Sequence, residues 1–369
     1  MFRSLLINYT GRKGAGPAIA LETAKAFMEN GYKVIALVSS YAENLEQWKS
    51  LPLEKLIVIK TYKDKISFIF STLSLLLFRR YKIKRIVNRY HIDFVYCPMA
   101  CLLNFLLNPI FKKYPVISVD HDPIPHKGDK DFKLIEKSYL TSSIILVHSK
   151  KFVGYVKNKY NKPCYYIPLG RHDVYKTIAN KRYIIQYDET KQNFLFFGRI
   201  SQYKGLDNLY KAYKKLEKEN DNVNLVVAGN GDFSLYLENY KSLNHCQIIN
   251  KWIDDEELES LFKCKNLICV LPYNDATQSG VVLVAMDYGI PVIVTNTGGL
   301  AEQVEDGKTG LIISPNNEIE LYDSMKKLSK DKKLYDYISE NQKKFIETLS
   351  WKNIAKQISV IFEKEVNKE

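Results

Sequence analysis

The sequence predicts an α/β protein built from two doubly wound halves, each with a mostly parallel sheet. The chain has 369 residues, more than a single hydrophobic core usually supports. Short apolar runs alternate with helical segments along both halves, the pattern of repeated βαβ units. We expect a first domain over 1–172, completed by a C-terminal helix over about 351–369, and a second domain over 173–350. Ligands should bind at the carboxyl ends of the strands, in a cleft between the halves.

In the first half, two strands lead directly into loops that could carry a site. Residues 4–8 form the first strand, and the glycine-rich loop after it contains Gly14. A later strand is followed by the sequence DHDPIPH, whose two prolines hold the backbone stiffly. In that loop His121 is the best candidate to face a ligand, with Asp122 able to orient it and His126 close by. The alternatives are a histidine with only local hydrogen bonds, or a metal cluster formed with Asp120. The remaining strands are expected over residues 33–38, 55–59, 94–97, 116–119, 144–147 and 165–167.

In the second half, strands are expected over residues 194–197, 224–227, 247–249, 267–271, 292–295 and 311–313. The first ends in Gly198 and Arg199, with Lys204 just before the next helix. A guanidinium can grip phosphate oxygens bidentately, and an ammonium adds a point charge. The loops near Trp252 follow neighbouring strands and could hold a nucleotide base. The alternative is that these cations belong to an ordinary solvated face.

The segment after strand 267–271 is the strongest local signal. Ser279 and Gly280 open a short apolar helix that Gly289 ends. A helix that starts behind a parallel strand directs free N–H groups and its positive dipole end at the ligand edge of the sheet. Thr277 and Gln278 would add hydroxyl and amide partners for a phosphate. The alternative is a well-capped core helix with no ligand.

Composition narrows the class of partner. The formal net charge is +13, which fits nucleic acid, an anionic membrane face or a phosphorylated substrate. No nucleic-acid-binding motif is present, so we expect no nucleic-acid partner. The six cysteines show no ligand spacing, which favours a reducing compartment without a zinc site. The glycine-rich loop lacks the spacing of dinucleotide binders, so a nicotinamide or flavin enzyme is not expected.

A basic apolar segment at about 60–89 does not fit a plain globular helix. Residues 66–78 carry no charge, yet nine Lys or Arg and one Asp occur between Lys60 and Arg89. The run is too short to span a bilayer, which needs about 20 residues. It suits a helix lying on an anionic membrane surface. The alternative is a buried helix with a solvated basic end.

Several motifs in fixed order resemble glycosyltransferases of family GT4. They are FFGRISQYKGLDNL, LVVAGNGD, DDEELESLF, the long stretch from LPYNDATQSG to KTGLI, and the terminal SW helix. The resemblance implies the GT-B fold, in which two Rossmann-like domains face a cleft and a C-terminal helix packs back on the N-terminal domain. The ATQSG form resembles a subgroup that acts in surface-polysaccharide synthesis.

The resemblance also implies roles for particular residues. Arg199 and Lys204 would bind the diphosphate of a nucleotide sugar, and His121 would face the reacting sugar. The other implied donor-site residues are Gly14, Gly198, Trp252, Thr277, Gln278, Ser279, Gly280 and Val281. Transfer would retain anomeric configuration and need no cofactor or metal. Most of the family has two glutamates across this helix, where this chain has Ala276 and Val284.

We therefore expect a retaining glycosyltransferase that uses a UDP- or GDP-sugar and a lipid-linked glycan acceptor. Its expected place is the cytoplasm, peripheral on the inner face of the cell membrane. A non-catalytic sugar-binding protein and a nucleotide-sugar epimerase of the same fold remain as alternatives.

Overall fold

The computed structural model describes residues 3–124, 132–171 and 182–368. Its internal contacts divide the chain into two compact units. Unit 1 comprises Met1–Gly170 together with Ser350–Glu369, and unit 2 comprises Arg171–Leu349.

Unit 1 contains a seven-stranded sheet in which all neighbouring strands are parallel. The strands are β1 Ser4–Tyr9, β2 Lys33–Ser39, β3 Lys55–Ile59, β4 Phe94–Cys97, β5 Val116–Asp120, β6 Ile144–Val147 and β7 Cys164–Tyr166. Their order is β3-β2-β1-β4-β5-β6-β7, so the chain reverses its direction of growth between β1 and β4. Inner strands such as β1 and β4 are buried at every position, as expected for strands covered on both faces.

The helices of unit 1 lie between these strands, with one more at the C-terminus. They are α1 Ala15–Glu29, α2 Leu45–Ser50, α3 Lys65–Ser74, α4 Arg80–Val87, α5 Asn104–Leu107, α6 Phe132–Leu140 and α7 Lys150–Tyr160. A π-helical turn, Leu75–Arg79, joins α3 to α4. A 3₁₀ turn, Asn108–Phe111, follows α5.

Unit 2 repeats this architecture with six parallel strands. They are β8 Gln192–Phe197, β9 Val223–Gly229, β10 Cys246–Asn250, β11 Leu267–Leu271, β12 Val292–Thr295 and β13 Leu311–Ile313. The order β10-β9-β8-β11-β12-β13 places the reversal between β8 and β11. The helices are α8 Leu206–Glu219, α9 Leu237–Lys241, α10 Asp255–Phe262, α11 Gly280–Asp287, α12 Glu318–Lys330 and α13 Lys332–Thr348.

The last helix, α14 Trp351–Val366, returns to unit 1. Its Phe362 ring packs on Phe94 of β4, with ring centroids 4.5 Å apart. At the start of the helix, Trp351 lies against Gly170, where an added Cβ would be 2.5 Å from the indole. Two parallel doubly wound sheets and a returning C-terminal helix confirm the predicted fold class.

Candidate functional site

The candidate site of unit 2 lies where the sheet order reverses. β8 and β11 are neighbours in the sheet although β9 and β10 lie between them in the chain order, so the loops that leave their carboxyl ends lie side by side at the reversal. Such a switch point is the usual ligand-binding position in doubly wound sheets. Gly198 and Arg199 follow β8 directly, and residues 272–279 follow β11. The sequence therefore places two of its candidate segments on adjacent strands.

These two loops are fixed to each other through the backbone. The Asn274 N–H donates to the Tyr203 carbonyl at 2.7 Å. Gly205 begins α8 with a φ of 71°, and an added Cβ would lie 1.8 Å from the Pro272 carbonyl oxygen. Only glycine fits such a conformation and such a close approach. Lys204, one residue earlier, is thereby held beside the β11 loop.

Two cations project from this edge. The Lys204 Nζ lies 3.6 Å from the centroid of the buried Tyr273 ring, a cation–π contact. The Arg199 side chain is exposed and has no ion pair or hydrogen bond with any residue that the structure describes. The guanidinium is therefore available to an anionic ligand.

Helix α11 begins where the loop after β11 ends. Ser279 is its N-cap residue, and no side chain caps the first turn. The side-chain amide of Gln303 instead clamps the Ser279 backbone: Oε1 accepts from the Ser279 N–H at 2.8 Å, and Nε2 donates to the Ser279 carbonyl at 3.1 Å. The first N–H groups of a helix have no intrahelical acceptor. This terminus presents backbone N–H groups at the positive end of the helix dipole, and the Gln303 side chain holds its first residue in orientation.

Two buried polar atoms near these loops lack a hydrogen-bond partner among residues 3–124, 132–171 and 182–368. They are Ser201 Oγ and Gln278 Oε1. Burial raises the pKa of Tyr273, and the Ser279 hydroxyl partly opposes that shift. Buried polar groups are almost always paired, so orphaned ones at a sheet edge indicate where ligand groups belong.

The remaining predicted residues of unit 2 occupy the same edge. Thr277 and Ser279 are buried, while Gly280 and Val281 open α11 and are half-buried. Ala276 and Val284 are buried and offer no carboxylate.

Trp252 lies in the loop after β10 and is 64% exposed. Hydrogen bonds connect this loop to the β8 loop through that of β9: Asn250 Nδ2 donates to the Gly231 carbonyl, and the Ile200 N–H donates to the Asn230 carbonyl. Trp252 is therefore on the edge that carries Gly198 and Arg199.

In unit 1 the predicted residues also follow strand ends. Gly14 is the N-cap of α1 with a φ of 89°, a conformation that favours glycine. Asp122 is exposed, and His121 is half-buried directly after β5. His121 Nε2 is 3.0 Å from the Pro98 carbonyl oxygen. Because a carbonyl only accepts, Nε2 carries the proton and Nδ1 is left as an acceptor.

A second histidine, which the sequence analysis missed, packs against the first. The rings of His121 and His148 meet edge to face with centroids 4.5 Å apart. Burial is the main cause that lowers the pKa of both, that of His148 to about 3, so both rings are neutral near pH 7. Burial likewise raises the pKa of Asp120, to about 7. His148 could have been found, since it follows β6 as His121 follows β5.

His126 lies outside the described residues. Within the part of the chain that the structure describes, no three His, Cys, Asp or Glu side chains come together as metal ligands. Gln303 was also missed, and the sequence gives no signal for it, because its partner Ser279 is 24 residues away.

Comparison with known proteins points to a class of enzyme. Residues 178–345 match the family model described as Glycosyl transferases group 1. Most of unit 2 therefore resembles a domain of this family. A glycosyltransferase of Methanocaldococcus jannaschii described as uncharacterized, MJ1607, is 32% identical over 182 residues, 48% of this chain and 46% of that protein. A second, MJ1178, is 26% identical over 338 residues, 89% of each chain. The domain and these relatives support a glycosyltransferase.

Solved structures resemble the whole chain. A glycosyltransferase from Rickettsia africae covers 100% of both chains with a TM-score of 0.70 and 16% identity. Anabaena HepE in complex with UDP covers 98% of this chain and 100% of its own, with a TM-score of 0.69 and 15% identity. WaaG, described as a glycosyltransferase involved in lipopolysaccharide biosynthesis, covers 97% and 99%, with a TM-score of 0.63 and 15% identity. At these identities the likeness shows the fold, which is GT-B.

Proposed function

We propose that the protein is a retaining glycosyltransferase that moves a sugar from a nucleotide-sugar donor to a hydroxyl of a lipid-linked glycan. The observation that carries this proposal is the switch-point edge of unit 2. It combines the Arg199 guanidinium, which pairs with no residue that the structure describes, the half-buried Lys204 ammonium and the N-terminus of α11, whose first turn no described side chain caps. A diphosphate carries the charge and the acceptor oxygens that such a set recognises.

These groups would act on the leaving diphosphate. During transfer the bond between the anomeric carbon and a phosphate oxygen breaks, and a bond from that carbon to the acceptor oxygen forms on the same face. Negative charge grows on the departing phosphate, where Arg199, Lys204 and the helix N–H groups stabilise it. The departing phosphate oxygen takes the acceptor proton, so no metal is required in the proposal.

The orphaned polar atoms and the exposed indole extend the site to the rest of the donor. Ser201 Oγ and Gln278 Oε1 are polar atoms without partners among the described residues, and a sugar or phosphate would supply partners. Trp252 gives a flat apolar surface for a nucleobase. HepE is described in complex with UDP and with UDP-glucose, which makes a UDP-sugar the first donor to test.

In unit 1, His121 is the candidate residue for binding the sugar of the donor. Since Nε2 of His121 is engaged by the Pro98 carbonyl, its Nδ1 can accept a hydrogen bond from a sugar hydroxyl. The lowered pKa keeps this ring a neutral acceptor at cytoplasmic pH. WaaG's described role in lipopolysaccharide biosynthesis and the basic apolar segment at about 60–89 support a lipid-linked acceptor at the inner face of the cell membrane.

A thermal-shift screen tests the donor site first. UDP, GDP, CMP and dTDP, alone and as sugar conjugates, are added to the wild type and to Arg199→Ala. We expect one nucleotide to raise the melting temperature and the variant to lose that shift. The control is Arg182→Ala, which removes an exposed guanidinium paired with Asp254 and Glu256 and should keep the shift.

Activity is then measured as incorporation of sugar into a glycolipid acceptor, and as donor turnover with and without that acceptor. Product that forms only with the acceptor supports transfer. Donor turnover without any acceptor would instead favour an epimerase or hydrolase, and no nucleotide binding would favour a non-catalytic protein.

A further inference from the structure

Hydrophobic side chains are concentrated on the surface of unit 1 between residues 66 and 81. They form the apolar stripe, which includes Ile66, Phe70, Leu73, Leu77, Phe78 and Tyr81, all exposed. Phe70 is 68% exposed and Phe78 is 72% exposed. Soluble proteins seldom leave a contiguous apolar patch of this kind without a partner. The segment is therefore not an ordinary buried helix.

The π-helical turn keeps the stripe on one side of the segment. The side that faces the protein carries residues at intervals of four: Ser71, Leu75, Arg79, Ile83 and Val87. Ser71 Oγ and Arg79 Nη1 both donate to the Lys60 carbonyl, and Leu75, Ile83 and Val87 are buried in the core of unit 1.

In a straight α-helix each four-residue step drifts by about 40°, so four steps would turn the inner side by about 160°. The extra residue of a π turn takes up much of that drift. Because the inner side stays aligned, the stripe on the outer side runs unbroken for about 22 Å from Ile66 to Tyr81.

Basic side chains flank the stripe. Lys65, Arg80, Lys82, Lys84 and Arg85 are exposed around it. Asp64 is the one acidic residue between Lys60 and Arg89, and its carboxylate is engaged in capping α3 by accepting the Ser67 N–H at 2.8 Å. The surface therefore combines exposed hydrocarbon with positive charge that has little acidic compensation.

We propose that the apolar stripe lies in the plane of an anionic lipid surface, with its phenyl rings among the acyl chains and its basic side chains at the head groups. This inference deepens the proposed function, since it assigns the surface by which the enzyme reaches a lipid-linked acceptor. Apolar area and cationic charge together are what an interfacial helix needs. None of the described helices is long and apolar enough to cross a membrane.

Vesicle binding by the full chain tests this surface without using activity. The wild type is sedimented with vesicles of phosphatidylcholine and of phosphatidylcholine mixed with phosphatidylglycerol. We expect binding only to the anionic vesicles, weakened by salt. The double variant Phe70→Ser with Phe78→Ser should bind at least about tenfold more weakly.

The matched control removes two exposed apolar side chains of unit 2. Leu235 is 66% exposed and Ile319 is 65% exposed, so Leu235→Ser with Ile319→Ser deletes a similar exposed area. This control should bind vesicles like the wild type. Both double variants should keep the nucleotide-induced thermal shift, which shows that they are folded.

Four results would overturn the inference. They are no binding of the wild type to anionic vesicles, equal binding of the Phe70/Phe78 variant, equal loss in the control, and a wild-type dimer that the Phe70/Phe78 variant converts to monomer. The last would make the stripe an interface between copies. Arg199→Ala separates the two proposals: it should keep vesicle binding while losing the nucleotide shift, so either can fail alone.

Discussion

The two units share a sheet order but furnish the carboxyl edge of the sheet with different chemistry. In unit 2 the edge carries Arg199, Lys204 and an uncapped helix terminus, all of fixed or permanent positive character. In unit 1 the reversal lies between β1 and β4, and the two strands next along the sheet, β5 and β6, are followed by His121 and His148, whose rings pack together. Among the described residues, the exposed apolar stripe belongs to unit 1.

This difference shows that the strand order determines where a site can form, whereas the residues in the loops determine its chemistry. A reversal of strand order opens a crevice in both sheets, since loops there diverge to opposite faces. The residues in the loops after the strands at and beside this reversal then decide the chemistry of the edge. Fixed positive charge suits a diphosphate near neutral pH, whereas the half-buried imidazoles of unit 1 suit neutral hydroxyls and make unit 1 sensitive to acid.

The largest expected effect comes from forcing apart the two loops of unit 2. Gly205→Ala adds a Cβ 1.8 Å from the Pro272 carbonyl in a left-handed conformation, so we expect about 3 kcal/mol of destabilisation and no donor binding. The control Gly307→Ala has a similar φ of 70° but nothing within 4 Å of the new Cβ, and should cost only about 1–2 kcal/mol. Calorimetry of both variants checks this. Equal costs would mean that the close approach does not matter.

The second expected effect is a dependence of the stability of unit 1 on pH. The folded pKa of His148 is about 3, below the ordinary 6.5, so the unfolded chain gains a proton at a pH where the folded unit does not. Unit 1 should therefore lose stability as the pH falls from 6.5 towards 3, by about 1.4 kcal/mol per pH unit. Asp120 has the opposite sign: its folded pKa of about 7 exceeds the ordinary 3.8, so it adds stability as the pH falls through that window.

Because these contributions oppose each other, removing one should expose the other. Asp120→Asn should make unit 1 more acid-labile between pH 6.5 and 4, and His148→Gln should make it less so. In His148→Gln the burial that raises the pKa of Asp120 is kept, as are the Tyr139 hydroxyl and the Lys159 ammonium that partly oppose it. Melting curves across this range, with the unit 2 transition as the internal reference, measure the effect. If the two variants respond alike, the burial argument is wrong.

The third expected effect comes from removing the hydrogen bonds that orient the N-terminus of α11, with the charged residues left unchanged. Gln303→Met keeps the side-chain length but removes the clamp on Ser279, so donor affinity should fall about tenfold with a smaller change in kcat. Gln247→Met, at an exposed position of β10, is the control. Titration with the nucleotide measures the affinity of each variant, and steady-state kinetics measure its kcat. A fall in kcat with unchanged donor affinity would show that Gln303 does not contribute to donor binding.

The smallest effect concerns the nucleobase. Trp252→Ala removes an exposed surface on which a base can stack, and we expect about a fivefold weaker nucleotide affinity. Trp252→Phe should restore most of it. Calorimetric titration measures the nucleotide affinity of both variants. An unchanged affinity in Trp252→Ala would mean that the base does not stack on Trp252.

Much of this molecule follows from local sequence. Apolar runs bounded by glycine and polar loops predict the thirteen strands that the structure describes, and the inner strands most clearly, because a strand covered on both faces is apolar throughout. The loop-and-helix motif at Ser279 and Gly280 is local too, since an N-cap and the helix that it starts are consecutive. Arg199 and Lys204 could be assigned because they directly follow a strand.

Other features depend on contacts between distant residues, and only the tertiary structure decided them. The Gln303 clamp joins residues 24 apart, and the pairing of His121 with His148 depends on β5 lying beside β6. Whether residues 66–81 are core or surface was also open from the sequence, since an apolar helix fits either place. The π turn and the hydrogen bonds to Lys60 settled which side faces inward. Burial is a property of what packs around a residue, and that is not written in the residues beside it.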